Sequence, residues 1–417
     1  MTVPSLLQIR TDAALDKEGG GLPRVELAPD FREFRDAGSV AEIVRRTQEV
    51  LADPTFPTAR AWRDGGGKAV GCFPVYTPQE LIHALGLLPV ALQGGGENLE
   101  ISRADASLGS FLCSISKSTL EMALTGLLDP FDAFVFPYIC DVSRNLDGIF
   151  SRILPDRPSH MLHLPQNFAS ESTVRFLVAE YRSLLKKLEK VAGRSLSPAD
   201  LAASLALFGE QRLLAGQLAA LKRERPWDVS LVESYLLLRL GGLLPREVHI
   251  PLLRRALDEL RGRSQKAKDA VRVVLVGPFC EQPTLELLQL IEDVGCYVVG
   301  EELQMLHRWY PKVEPGGDPL ESLAAAYVRT PVDIGVRSTP TTKAEAILAR
   351  VREGDAQGVI FLTAKFCEPA LEDVVLYRRA LEAKGIPYLH LEFEEKSTTY
   401  EQARLQLETF VESILFD

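Results

Sequence analysis

The sequence predicts an α/β protein built from two parallel-sheet domains, with one helical segment at the N-terminus and another between the domains. Three observations carry this expectation. From Ala69 onward, short apolar runs alternate with helix-period segments. Residues 172–264 show only helix-period patterning. At VRVVLVG (271–277) the strand–helix alternation starts again, with residue types recurring in the order of the first half. The changes of pattern set the expected boundaries: an N-terminal extension and helix over 1–66, a first α/β domain over 67–170, a helical segment over 171–268, and a second α/β domain over 269–417.

Residues 1 to about 35 are rich in Gly, Pro and charge without clear periodicity, which predicts a loosely attached extension. SVAEIVRRTQEVLAD (39–53) sets Val40, Ile43, Val44 and Val50–Leu51 near one face of a helix. AVGCF then reads as a strand, PQELIHALG as a helix ending at a Gly, and LLPVAL as a second strand. Beyond the Gly94–Gly96 loop, a helix through Lys117–Leu127 leads to a third strand, AFVFP (133–137). In the helical segment, Ser197-Pro198-Ala199-Asp200 is a start signal: a capping hydroxyl, a Pro at the first helical position and an acid in the first turn. The second domain continues with strands at CYVVG (296–300), VIFLT (359–363) and PYLHLEF (387–393).

Composition excludes several classes. The 417 residues are 46% hydrophobic and 25% charged, ordinary globular values that rule out a disordered or low-complexity chain. A net charge of −10 is the wrong sign for sequence-independent nucleic-acid binding, so no nucleic-acid partner is expected. MTVPSLLQIRTDAALDKEGGG lacks a basic start followed by an apolar stretch, and no run of ~18 apolar residues occurs. No membrane partner is expected, and the predicted location is the cytoplasm.

That location keeps thiols reduced, so the six cysteines need a role other than disulfides. Cys72, Cys113, Cys140, Cys280, Cys296 and Cys367 include no CxxC pair, which argues against a zinc ribbon or a thioredoxin-type site. Their positions repeat between the halves. A strand, Gly71-Cys72, Pro78, Glu80-Leu81-Ile82, a Gly and a strand are answered by a strand, Gly277, Cys280, Pro283, Glu286-Leu287-Leu288, a Gly and a strand. FVFPYICD and VIFLTAKFCE likewise set Cys140 and Cys367 just beyond strands. Open parallel sheets bind ligands outside the carboxyl ends of their strands, so cysteines recurring there point to a shared metal or cluster rather than to separate buried thiols. Thiolates spread over distant loops suit an iron–sulfur cluster better than a zinc knuckle. Cys296 fits worst: it begins its strand, about 13 Å from the ligand edge.

The segments GCFPVYTPQELIHALGLLPVAL, FLCSISKSTLE, FPYICDVSRNLDG, GPFCEQPTLELLQLIEDVGCYVV, GDPLESLAAAY and KFCEPALED resemble the 2-hydroxyacyl-CoA dehydratase and benzoyl-CoA reductase superfamily. Within it, ICDVSRNL and GPFCEQP are most similar to the C-type subunits of ATP-dependent benzoyl-CoA reductases and to double-cubane cluster proteins. The resemblance runs from about Ala61 to the C-terminus. It implies two Rossmann-like domains with an iron–sulfur cluster between them. It also implies a homologous B-type partner subunit, an ATP-hydrolysing iron–sulfur activator supplied by ferredoxin, and an aryl-CoA substrate. Dehydratase-like members hold a [4Fe–4S] cubane through three cysteines, which map onto Cys113, Cys140 and Cys367. With Cys72, Cys280 and Cys296 the tally becomes six, the number a bridged [8Fe–9S] double cubane needs, and this favours the reductase or double-cubane branch. A dehydratase subunit and a homodimeric double-cubane protein are the competing readings.

Other residues carry weaker signals. No GxxxxGK[ST] pattern occurs, so no nucleotide is expected on this chain itself. Gly94-Gly95-Gly96 follows a strand and suits either a flexible loop or an approach to a coenzyme A phosphate. The six histidines (His83, His160, His163, His249, His307, His390) show no metal-ligand spacing, and His83 reads as a packed helix residue. Asp141 and Glu368, each following a cysteine, read as helix caps; Lys117, Arg144 and Lys365 are candidates to offset an anionic cluster, and Tyr76 to donate a hydrogen bond near Cys72.

Overall fold

A computed structural model gives the structure and describes residues 29–277, 280–303, 313–314, 316–329, 340–397 and 399–416. Most of the N-terminal extension, Pro278–Phe279 of the GPFCEQP motif, and His307 lie outside these residues. Among the described residues the architecture is α/β with two four-stranded, all-parallel sheets. The first comprises β1 (Ala69–Cys72), β2 (Leu88–Ala91), β3 (Ala133–Pro137) and β4 (Ser159–Leu162), in the order β2-β1-β3-β4. The second comprises β5 (Val271–Val276), β6 (Cys296–Glu301), β7 (Gly358–Ala364) and β8 (Tyr388–Phe393), in the order β6-β5-β7-β8. The two orders are the same when each sheet is numbered from its own first strand. In each sheet the winding direction reverses between the first and third strands, where such sheets open a ligand crevice.

Parallel strands covered on both faces are apolar at every position, and β1, β2, β3 and β7 are buried throughout. Pleating divides the second sheet cleanly: Ile360, Leu362 and Ala364 join the main core, while Val359 and Phe361 pack with Val274, Val276, Ile347 and Tyr377 on the other face. Gly86 and Gly295, both at positive φ (80° and 95°), end the helices that feed β2 and β6. Their N–H groups return to the carbonyls of His83 and Glu292. A left-handed turn at a helix end favours glycine, which explains the recurrence of that residue in both halves.

The middle segment is helical: Thr173–Ala192, Pro198–Glu224, Leu231–Arg239 and Arg246–Gly262. Ser197 caps the second of these, its hydroxyl accepting from Asp200 N at 3.1 Å, with Pro198 at the first helical position as expected. The long Pro198–Glu224 helix packs against both the Gln79–Ala84 helix of the first domain and the Pro319–Arg329 helix of the second, so it bridges the halves. One apolar core runs from the first sheet through this segment into the second. The expectation of a loosely attached extension is corrected over its last part: Pro29–Asp36 is a helix whose Phe31 and Phe34 are buried against the core, because two aromatics three residues apart share a helix face.

Candidate metal centre

The carboxyl ends of the two sheets face one cavity of about 250 Å³, and both halves contribute to its wall. Four cysteines line it: Cys113, Cys140, Cys280 and Cys367. Phe73, Ile115, Leu146, Ile149 and Ala364 make the rest of the wall largely apolar. Phe111 and Phe366 stand at its rim, 70% and 41% exposed.

Local structure delivers each sulfur. Cys113, Cys140 and Cys367 are the N-cap residues of the helices Ser114–Leu124, Asp141–Ile153 and Glu368–Glu382. Helix N-termini carry unpaired N–H groups and partial positive charge, so three of them aimed at one cavity favour an anionic occupant. Cys140 Sγ already accepts from Ser143 N at 3.5 Å, and Cys113 Sγ lies 3.1 Å from Ser116 Oγ. Before Cys367, Phe366 takes a left-handed backbone (φ 64°), a strained state for a bulky residue that turns the chain sharply after β7. Cys280 comes from the loop after β5, and its thiol donates to the Pro74 carbonyl of the other domain at 3.4 Å.

Burial pushes Cys113 and Cys367 up to about 12, with neighbouring acids and thiols adding to the shift, and it raises Cys140 in the same direction. As free thiols these groups stay protonated at neutral pH; a bound metal would displace the protons. Among the described residues, no three His, Cys, Asp or Glu side chains are arranged to hold one metal ion. A cubane makes a different demand, because each thiolate binds a separate iron of the cluster. Four soft sulfur donors brought from separate segments to one largely apolar cavity suit such a cluster.

Two predicted ligands lie elsewhere. Cys72 closes β1 itself; its thiol donates to the Val70 carbonyl at 3.5 Å, and it is absent from the cavity wall. Burial pushes its pKa up, and nearby Arg246 opposes that only in part. Cys296 opens β6 opposite Val271, the first residue of β5, and therefore sits at the amino edge of the sheet. Of the six predicted ligands, Cys113, Cys140, Cys280 and Cys367 line this cavity, and Cys72 and Cys296 do not.

A scan against protein families matches residues 74–414 to the 2-hydroxyglutaryl-CoA dehydratase D-component family. The chain belongs to that family. The C-type subunit of benzoyl-CoA reductase from Thauera aromatica is 35% identical over 382 residues, 90% of this chain and 99% of that protein. The (R)-phenyllactyl-CoA dehydratase beta subunit of Clostridium sporogenes is 26% identical, covering 88% of this chain and 97% of its own. The (R)-2-hydroxyglutaryl-CoA dehydratase beta subunit of Acidaminococcus fermentans is 24% identical, covering 90% and 100%. All three are named as enzyme subunits.

In this D-component family member the remaining expectations divide. Asp141 and Glu368 open their helices, but the caps are the cysteines before them. Lys117, Arg144 and Lys365 pair with Asp105 (3.0 Å), Asp141 (3.7 Å) and Glu394 (2.6 Å), so helix N-termini rather than free cations supply positive potential. Tyr76 is buried against Tyr327 and does not line the cavity. His83 is packed, bonded to Ser204 Oγ at 2.9 Å and Glu247 at 3.1 Å. A Cβ on Gly94 would collide with the buried Glu395 side chain, so the loop packs closely on that residue.

Sequence reading missed Glu281, which lines the cavity beside Cys280 and is 1% exposed. Burial pushes its carboxyl well above the ordinary range; burial and the charge of Glu281 do the same to Glu395. An acid between a cysteine and a glutamine in an otherwise apolar stretch was the available signal. Among the described residues, no helix is long and apolar enough to cross a membrane.

Proposed function

We propose that this chain is the iron–sulfur subunit of an ATP-dependent aryl-CoA reductase, with Cys113, Cys140, Cys280 and Cys367 holding one [4Fe–4S] cubane. The observation that carries the reading is the convergence of four thiols from both halves on one largely apolar cavity. When bound, such a cluster supplies single electrons at low potential. The chain's own part is to hold and shield it. Three helix N-termini stabilise negative charge at the sulfurs. Phe73, Ile115, Leu146 and Ile149 keep water from the wall. The volume falls just below the ~300–1,000 Å³ of ordinary ligand pockets, enough for a compact cluster and a planar group but not for coenzyme A, whose tail must lie outside. A double cubane on six thiolates is not favoured, because Cys72 and Cys296 are absent from that wall.

The chain carries no phosphate-loop motif, which supports assigning ATP hydrolysis to a separate iron–sulfur activator fed by ferredoxin. The relatives are named as subunits, which supports a partner subunit; we take that partner to be a homologous B-type chain that completes the substrate site. The same relatives favour one competing reading, a dehydratase subunit. The test is anaerobic assay of the co-purified complex with activator, offered benzoyl-CoA and an (R)-2-hydroxyacyl-CoA. ATP-dependent loss of the aromatic absorbance is expected, with no ATPase activity in this chain alone. Turnover only of the hydroxyacyl thioester would replace the reductase reading with the dehydratase one.

A further inference from the structure

The cysteines of the cavity come from two domains, so their mutual spacing depends on whatever holds the domain ends together. Glu281 bridges them. Its Oε2 accepts from Ile115 N at 3.0 Å, across to the first domain, and its Oε1 accepts from Glu395 N at 3.1 Å, in the turn after β8.

Each contact leads to a cavity cysteine. Ile115 is the second residue of the helix that Cys113 caps. The first N–H groups of a helix lack intrahelical partners, and a cap residue's side chain usually accepts one. Cys140 does so through its sulfur, whereas the Cys113 side chain makes no cap bond. Glu281 takes over that duty from the other domain and leaves the Cys113 sulfur turned to the cavity. The second contact reaches Cys367. Glu395 lies two residues beyond β8, which pairs with β7 up to Ala364 opposite Phe393, and Lys365 N bonds the Phe393 carbonyl at 2.8 Å. Cys280 is the neighbour of Glu281 in the chain. Three of the four sulfurs are therefore referred to one buried carboxylate; Cys140 alone is not.

We propose that Glu281 is the positioning residue of the cluster site: its carboxylate, accepting one backbone N–H from each domain, fixes Cys113 relative to Cys280 and Cys367. This role rests on the cluster reading above. Two backbone hydrogen bonds accepted by one buried carboxyl, made in a low-dielectric setting, suit a fixed strut.

Hydrogen exchange on the metal-free full-length chain tests the strut without any cluster. In Glu281→Ala the Ile115 and Glu395 amides should exchange at least about tenfold faster, while the Asp141–Ile153 helix keeps its protection. Glu281→Gln, which keeps shape and one acceptor, should restore protection at one of the two amides. After anaerobic iron and sulfide reconstitution, both variants should show an altered electron paramagnetic resonance spectrum or a lower iron content than wild type. Unchanged amide exchange overturns the proposal. So does faster exchange with a wild-type spectrum and iron content, since Glu281 would then be only a helix cap. A wild-type chain that takes up no iron would instead remove the cluster reading, and this role with it. Failure of the reading shows in the wild type; failure of the strut shows only in the variants.

Discussion

The two sheets share a strand order, yet their cysteines do not behave alike. After the third strand of each, the match is close: Cys140 lies three residues beyond Pro137, and Cys367 three beyond Ala364. Both cap a helix and both reach the cavity. After the first strand of each, the match fails. Cys280 lies four residues beyond Val276, whereas Cys72 is the last residue of β1. Four residues of loop carry a side chain past the sheet edge; none leaves it fixed to the pleat. A similar split appears in the next helices. Glu80 is 1% exposed and paired with Arg212 of the Pro198–Glu224 helix, but its counterpart Glu286 is exposed. Repetition of topology therefore preserves where a site can form. What each side chain does depends on which neighbour covers its face.

The largest expected effect tests the matched pair. Cys140→Ala and Cys367→Ala should each lose most cluster iron while circular dichroism and the unfolding midpoint stay near wild type. Wild-type iron in either variant would take that residue out of the ligand set.

Next comes the mismatched acid pair. Glu80→Ala removes the buried carboxylate paired with Arg212 and should cost about 3 kcal/mol in urea unfolding. Glu286→Ala should stay within about 0.5 kcal/mol. Equal losses would mean that the helices after β1 and β5 are buried alike.

A smaller effect separates two histidines. His249 is fully buried beneath the first domain; its Nδ1 accepts from Gln211 at 2.7 Å and its Nε2–H donates to the Leu237 carbonyl at 2.8 Å. Burial pushes its pKa down to about 4, whereas the unfolded imidazole titrates near 6.5. Between those values the unfolded chain binds a proton that the folded chain does not, so stability falls as pH drops from about 6.5 toward 4. At pH 5 the loss from this group is about 2 kcal/mol. Half-buried His390, lowered mainly by burial as well, should contribute less. His249→Asn should flatten the pH dependence of the unfolding midpoint more than His390→Asn, and the reverse order would contradict the burial argument.

Much of this was legible in the sequence because buried parallel strands leave continuous apolar runs, as at Leu88–Ala91 and Ala133–Pro137. β4 was not foreseen. Its Ser159 and His160 disguise a four-residue edge strand, although the repeat itself called for a fourth strand to match PYLHLEF. The cavity's location was legible from strand ends alone. Which cysteines line it was not, because the direction of a side chain at a strand's last residue changes with a one-residue shift of register. Cys296 was readable as a strand start, and its place at the amino edge follows from that. Glu281 eluded the sequence for another reason: its partners Ile115 and Glu395 are 166 and 114 residues away along the chain.

The central claim is that the fold gathers Cys280, and not Cys72, with the three helix-capping cysteines around one cluster. Iron and acid-labile sulfide per chain, measured on anaerobically purified wild type, Cys280→Ala and Cys72→Ala, test it most directly. The account predicts about four irons in wild type and in Cys72→Ala, with a clear loss in Cys280→Ala. About eight irons in wild type, falling in Cys72→Ala, would contradict it.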